Sequence, residues 1–219
     1  EYSLGPTDAT AQCINGQPAS VLAWVNPAPS TTWVVQIGGP SPDVGFCISA
    51  AACAMFGAPN GTIPPPPPPS PPVPISGGTG ANSITSQNCT TNPDFCAANQ
   101  AQITMCDMSF GLGNAVVTGK ELGLPAPADG TVMYFRGPQI MSASIQKLAA
   151  LGLATAEKVM LVGVQAGAVQ LLQQVDQIAG AIKAVAPKAA TIKAVPVDGM
   201  RPNLRQVLFC TSGIMGNNC

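Results

Sequence analysis

The segment from residue 157 to residue 172 constrains the fold of this chain more than any other. A strand-like run from Lys158 to Val162, apolar after its first residue, is followed by a cluster of very small residues and then by a predicted helix from Ala168 to Lys183. The small residues are Gly163, Ala166, Gly167 and Ala168. This pattern predicts a buried strand that turns sharply into a helix, because side chains larger than a methyl group would collide in such a turn.

A turn of this shape is the nucleophile elbow of serine hydrolases, and the position of the nucleophile is occupied here by Gln165. A primary amide has no ionisable proton and forms no covalent acyl intermediate. The 219 residues also contain no histidine that could serve as the general base. The sequence therefore predicts the frame of a hydrolase without its chemistry, with no enzymatic activity, no cofactor and no metal site.

The composition bounds the size and the partners of the protein. A chain of 219 residues can form one α/β domain with a sizeable core. Only 9% of the residues are charged, against about 25% in ordinary soluble domains. Either the many small side chains produce this value, or the surface is buried in an assembly; we favour the second explanation and expect a homo-oligomer or filament. The net charge of -1 gives no basic surface for nucleic acid. The sequence contains no run of 18 apolar residues, so it predicts no membrane span.

Eight cysteines in the absence of histidine favour disulfides over a metal site and indicate an oxidising, extracellular compartment. Short spacings suggest the pairs Cys47–Cys53, Cys89–Cys96 and Cys210–Cys219, which leave Cys13–Cys106, although eight cysteines allow 105 pairings. Two sequons for N-linked glycosylation, at Asn60 and Asn88, agree with secretion. Glu1 is expected to be a mature or trimmed start, because no signal segment precedes it.

A proline-rich segment divides the chain. Consecutive prolines fix the backbone dihedral φ and donate no hydrogen bonds, so residues 64–74 should form a polyproline II rod of roughly 34 Å. The predicted organisation is residues 1–62 as the N-terminal strands, 63–80 as the rod with a glycine-rich joint, and 81–219 as the remainder of one α/β domain. The rod is either a stiff spacer or an arm that docks on a neighbour or carries glycans.

Proline blocks interrupted by serine resemble the hydroxyproline-rich segments of plant and green-algal wall glycoproteins. The resemblance implies O-linked sugars on hydroxylated prolines and on the nearby serine. The candidate residues are Pro64, Pro65, Pro66, Pro67, Pro68, Pro69, Ser70, Pro71 and Pro72.

The rest of the chain alternates between predicted strands and helices. Residues 21–24 and 31–37 are predicted to pair as a hairpin, and residues 103–105 to form a short strand. Apolar residues at helical spacing predict a helix from Pro138 to Leu151, and a further strand is expected over residues 191–195. This order predicts a parallel sheet with right-handed crossovers, in which the strand at 158–162 is buried on both faces.

Several short segments resemble, in the same order, the pectin acetylesterase and Notum family. They are residues 13–19, 33–39, 46–47, 92–95, 106–107, 134–137 and 163–167. The resemblance identifies the chain as a degenerate, C-terminally shortened member and implies a secreted, partial α/β-hydrolase fold stapled by disulfides. Members of this family remove acyl groups from polysaccharide or protein.

Residue by residue, the resemblance places Gln165 at the nucleophile position and Gly38 and Gly39 in the oxyanion loop. Pro40 stands where the family has a third glycine, and proline has no N–H to donate to an oxyanion. The acidic residues Asp107, Asp176 and Asp198 fall at positions without a role in the family's triad, so we interpret them as structural.

Two functions are compatible with these features. The first is a non-catalytic, secreted structural glycoprotein, a pseudo-hydrolase subunit of an extracellular filament, appendage or wall assembly. The alternative is a carbohydrate-binding pseudoenzyme. Sugar sites usually need aromatic platforms, and the chain has only two tryptophans and two tyrosines. We therefore favour the structural function.

Overall fold

The computed structural model describes residues 1–38, 84–123, 128–164 and 166–197. Eight strands and two helices lie within these ranges. The strands are β1 (Tyr2–Ser3), β2 (Ser20–Trp24), β3 (Thr32–Ile37), β4 (Asn99–Ile103), β5 (Asn114–Thr118), β6 (Val132–Arg136), β7 (Lys158–Val164) and β8 (Thr191–Val197). The helices are α1 (Gly137–Ala150) and α2 (Ala166–Val185), and short 3-10 turns occupy Ala128–Gly130 and Leu153–Thr155.

Six of these strands form one mixed sheet in the order β1-β2-β4-β3-β7-β8, and β5 pairs with β6 as a separate ribbon. The strands β4, β3, β7 and β8 are parallel, whereas β1 and β2 are antiparallel additions at one edge. The predicted α/β fold with a parallel sheet and flanking helices is therefore confirmed for the core of the sheet.

Both helices cover the same face of the sheet. The connections from β4 to β7 and from β7 to β8 run in the same direction across the sheet, and right-handed crossovers then place both helices on one side. Their apolar residues, among them Ile140, Leu148, Leu171 and Ile178, share one core cluster with Trp33 and Leu161 of the sheet. This cluster is the main source of burial in the domain.

The opposite face of the sheet carries a smaller apolar cluster. Val34 and Val162 form it together with Ala98, and Ile84 and Phe95 pack against it. The strand predicted at 158–162 is thus buried on both faces, since Val159 and Leu161 belong to the helix-side cluster. Double-sided burial is what a parallel strand between two layers requires.

The predicted hairpin between residues 21–24 and 31–37 is wrong. Strand β2 pairs antiparallel with β4, and β4 lies between β2 and β3. Asn99, at the start of β4, accepts a hydrogen bond from Asn26 N (2.9 Å) and donates one to Ser30 O (2.8 Å). The connection from β2 to β3 therefore crosses over the end of β4 instead of closing a tight turn.

Two predicted element boundaries also change. The strand expected at 103–105 is β4, which runs from Asn99 to Ile103; its polar residues Gln100 and Gln102 hid it from a search for apolar runs. Strand β8 does not stop before Pro196 but continues through it to Val197, with Pro196 opposite Gly163. Within the described ranges β8 is an edge strand. Proline is tolerated in an edge strand because the position of its missing N–H can face the side without a neighbouring strand.

The structure forms two of the expected disulfides, Cys13–Cys106 and Cys89–Cys96. The Cys13–Cys106 bridge joins the N-terminal loop to the segment after β4. The expected pairs Cys47–Cys53 and Cys210–Cys219, the sequon at Asn60 and the whole 63–80 segment lie outside the described residues. Among the helices that the structure describes, none is long and apolar enough to cross a membrane.

Candidate functional site

The predicted elbow is formed by the end of β7 and the start of α2. Strand β7 ends at Val164 and α2 begins at Ala166, so one residue, Gln165, separates them in the sequence. Gln165 itself lies outside the described residues. A Cβ atom on Gly163 would lie 2.6 Å from Gly167 O and 2.7 Å from the Cα of Ala168. Strand and helix therefore approach so closely that a side chain at residue 163 is excluded.

The end of β3 packs against this turn between β7 and α2. Gly38 follows β3 with φ of 93°, and a Cβ atom there would lie 2.8 Å from Val164 O and 2.9 Å from Gly167 N. A Cβ atom on Gly167 would lie 1.9 Å from Ile37 O. The ends of two parallel strands and the start of a helix thus meet backbone against backbone, and glycine is required at each of these contacts.

Hydrogen bonds fix the carbonyl and the amide of Gly38. Gly38 N donates to Ile103 O (3.1 Å), and Gln102 Nε2 donates to Gly38 O (3.3 Å). The other two residues of the expected oxyanion loop, Gly39 and Pro40, lie outside the described residues. The atoms nearest to Gly38, Gly163 and Gly167 belong to the backbone rather than to ionisable side chains. This packing fixes how the ends of β3 and β7 meet the start of α2.

Asp107 is fully buried beside the start of α1. Its carboxylate accepts hydrogen bonds from Ser109 Oγ and from Ser109 N (3.4 Å), whereas Gly137 N, at the start of α1, donates to Gly113 O (3.0 Å). Burial raises the pKa of Asp107 above its ordinary value, while the hydrogen bonds from Ser109 oppose the shift. Asp107 therefore holds the turn of its own loop through Ser109, whose Oγ also accepts a hydrogen bond from Gly113 N (2.7 Å).

The loop that holds Asp107 is strained and tightly enclosed. Met108 and Phe110 both have positive φ, at 58° and 54°, a conformation that costs roughly 1–3 kcal/mol for a residue other than glycine. A Cβ atom on Gly137 would lie 2.1 Å from Gly111 O, so the loop touches the start of α1 directly. The surrounding packing must supply the energy that keeps this loop in place.

Gln170 links this loop to the elbow helix. It is buried on α2, five residues beyond the elbow position, and its Nε2 donates to Gly111 O (3.2 Å) and to Gln174 Oε1 (3.1 Å). Its own Oε1 is buried without a hydrogen-bond partner among the described residues. Sequence analysis missed Gln170 and Gly111 because their relationship spans 59 residues and leaves no local pattern. The two remaining acidic candidates do not join them: Asp176 is exposed on α2, and Asp198 lies outside the described residues.

The aromatic side chains of the described ranges are buried or half-buried. Trp33, Phe110 and Phe135 are buried. The others, Tyr2, Trp24, Phe95 and Tyr134, are half-buried, and Lys147 Nζ lies 5.3 Å from the centre of the Tyr2 ring. The described residues also contain no group of three or more His, Cys, Asp or Glu side chains placed to hold a metal ion.

Comparison with known proteins connects this geometry to a family. The pectinacetylesterase family model matches residues 76–211. Among curated relatives from Arabidopsis thaliana, pectin acetylesterase 4 is 28% identical over 181 residues, which cover 82% of this chain and 38% of the relative. Pectin acetylesterase 11 is 30% identical over 116 residues, covering 53% of this chain and 26% of the relative.

A solved structure shares the fold. The Wnt deacylase Notum from Drosophila superposes with a TM-score of 0.62 at 21% identity, over 87% of this chain and 50% of its own. At this identity the likeness concerns the fold. The present chain spans about half of that structure and a still smaller share of the two Arabidopsis relatives.

Proposed function

Because the chain belongs to the pectinacetylesterase family, we propose that it is a non-catalytic member that keeps the esterase frame and has lost the reaction. One observation carries the proposal. The glycines that shape the elbow, Gly38, Gly163 and Gly167, pack without room for a methyl group, yet the residue between β7 and α2 is glutamine. An amide there can form no acyl-enzyme.

Two further features of the sequence support the loss of activity. Pro40 removes an N–H from the oxyanion loop, where a single lost donor costs about 10²–10³ in turnover. The 219 residues hold no histidine, so a general base would have to come from outside them. Nucleophile, oxyanion donor and base are affected separately, and restoring one of them does not restore the others.

We further propose that the protein is secreted and serves as a structural subunit. The two disulfides are typical of chains that fold in an oxidising compartment. The sparse charge and the exposed valines Val116, Val132, Val195 and Val197 suit a surface that is partly covered by neighbouring copies. An extracellular filament, appendage or wall layer is the kind of assembly that we infer, with the proline-rich segment 63–80 as the bridging or glycan-bearing element.

The alternative, a carbohydrate-binding pseudoenzyme, has less support. The pectin acetylesterase names of the relatives favour a sugar ligand. Against it, the aromatic side chains of the described ranges are all buried or half-buried, so none offers a fully exposed ring for stacking. We therefore retain the structural function as the first proposal.

The loss of activity is tested with p-nitrophenyl acetate and acetylated pectin, using an active Arabidopsis pectin acetylesterase as the positive control. We expect no hydrolysis above a blank, and we expect Gln165→Ser not to restore it, since the base is still missing. Turnover by the unmodified protein that disappears in Gln165→Ala would overturn the proposal.

The structural role is tested by electron microscopy of the purified protein at neutral pH. Rods or ordered layers support it. A monodisperse small particle that binds immobilised pectin would instead favour the carbohydrate-binding alternative.

A further inference from the structure

The loop from Ile84 to Ala98 lies on the face of the sheet opposite the helices, where Ile84 and Phe95 pack against the apolar cluster. The Cys89–Cys96 disulfide closes the outer part of this loop. Asn92 holds its inner part: it is buried, and its Nδ2 donates to Ile84 O (2.9 Å) and Ser86 O (2.7 Å). The loop therefore has a fixed base and a bridged, exposed tip.

The sequon Asn88-Cys89-Thr90 forms that tip, and all three residues are exposed. Asn88 Oδ1 accepts a hydrogen bond from Thr90 N (3.0 Å), which is an Asx turn. The Asn88 carbonyl accepts from Thr91 N (3.0 Å) and Asn92 N (2.9 Å). Asn88 Nδ2 donates to none of the residues that the structure describes, so the reactive nitrogen of the sequon is not engaged in the loop's own hydrogen bonds.

Other asparagines in the same region use their amide nitrogens differently. Asn26 Nδ2 donates to Ala97 O (2.9 Å), and Asn99 Nδ2 donates to Ser30 O (2.8 Å). With Asn92, these side chains hold the backbone together. Asn88 engages only its oxygen, and it is also the one among these four that has a threonine two residues later.

We propose that Asn88 Nδ2 is the acceptor of an N-linked oligosaccharide. The donor is an oligosaccharide carried on a polyprenyl diphosphate. A bond forms between Nδ2 and the anomeric carbon, the bond from that carbon to the diphosphate breaks, and the amide loses one proton as the lipid diphosphate leaves. The bridged loop presents the acceptor outside the fold, and the exposed Thr90 supplies the hydroxyl that the sequon requires.

This inference rests on the proposed function in one respect, passage through a secretory route. It adds a constraint on any assembly. A branched, hydrated oligosaccharide cannot be buried in a protein contact without losing its hydration, so the surface around Asn88 must face solvent in a filament or layer. Contacts between copies then lie elsewhere on the domain.

The test uses the full chain secreted from a eukaryotic host, with Asn60→Gln introduced so that Asn88 is the remaining sequon. Purified protein is treated with an amidase that releases N-linked glycans and converts the acceptor to aspartate. We expect a mass decrease on treatment and a peptide that contains aspartate in place of Asn88. Thr90→Ala should abolish both, whereas Thr90→Ser should retain them.

Thr90→Ala keeps the backbone donor of the Asx turn, so it separates loss of the acceptor signal from loss of the fold. Asn88→Gln serves as a second variant, and circular dichroism checks both. Unmodified Asn88 in all secreted molecules, from a host that glycosylates a co-secreted reference protein, would overturn the inference. That outcome leaves the hydrolysis assay and the microscopy unaffected, so its failure is distinguishable from failure of the proposed function.

Discussion

Replacing Gly167 with alanine tests the backbone packing that shapes the elbow. The new Cβ would lie 1.9 Å from Ile37 O and 2.8 Å from the Cα of Gly38. Ordinary contact between a carbon and another heavy atom is roughly 3.5 Å, so strand or helix must move by about 1.5 Å. Neither moves easily, because Ile37 is paired on both sides, with Ile103 and with Gly163.

The size of the effect follows from two opposing contributions. Overpacking in a rigid core costs about 1–3 kcal/mol and more where the obstacle is backbone. Alanine gains about 0.5–1 kcal/mol over glycine in a helix. Because the clash involves a strand paired on both sides, we expect Gly167→Ala to lower the free energy of unfolding by about 3 kcal/mol or more.

Gly180→Ala is the matched control, since it makes the same change in the same helix. A Cβ atom on Gly180 meets nothing within 4 Å, so only the helix preference remains, and we expect a gain of about 0.5–1 kcal/mol. Urea unfolding followed by circular dichroism measures both variants with their disulfides intact. The comparison requires that the free energy of unfolding falls with urea at the same slope in both variants. If Gly167→Ala is as stable as Gly180→Ala, β3 and α2 do not meet as described.

Two of the remaining predictions rest on contacts of the described residues, and the third rests on the sequence of the proline-rich segment. Burial raises the folded-state pKa of Asp107, so its contribution to stability is fully present below the unfolded-state pKa and is lost as pH rises through the folded-state pKa. In urea unfolding at several pH values, the stability of the parent relative to Asp107→Asn should therefore fall as pH rises, and a constant difference would contradict this. Removing Cys13–Cys106, which spans 93 residues, should cost about 4–5 kcal/mol, and removing Cys89–Cys96, which spans 7, about 2–3 kcal/mol; equal urea midpoints for the two double alanine variants would argue against this order. Replacing residues 64–74 with a short Gly-Ser link should leave the circular dichroism spectrum intact and shorten or abolish the polymer seen by microscopy, and unchanged assembly would leave the segment as a spacer only.

Features that depend on a short window of residues could be predicted from the sequence. The small residues around position 165 define a strand-to-helix turn, because bulk is excluded there wherever such a turn occurs. Apolar spacing located the first helix to within one residue at each end, with residues 138–151 predicted against the observed Gly137–Ala150. The local disulfide Cys89–Cys96 followed from its short spacing, and Cys13–Cys106 from the cysteines then left over.

Which segments become neighbours across long stretches of sequence depends on how the whole chain packs. Strand β4 is polar at Asn99, Gln100 and Gln102, and only its place between β2 and β3 makes it a strand. The burial of Asp107 beside α1 and its resulting pKa also depend on a contact across some thirty residues. Local patterns encode the backbone preference of a segment, whereas strand order and the environment of a carboxylate depend on which surfaces meet when the chain closes. The glycines of the elbow combine local and long-range requirements. Their spacing in the sequence predicts the turn, but only the fold shows that Gly167 also packs against the end of β3.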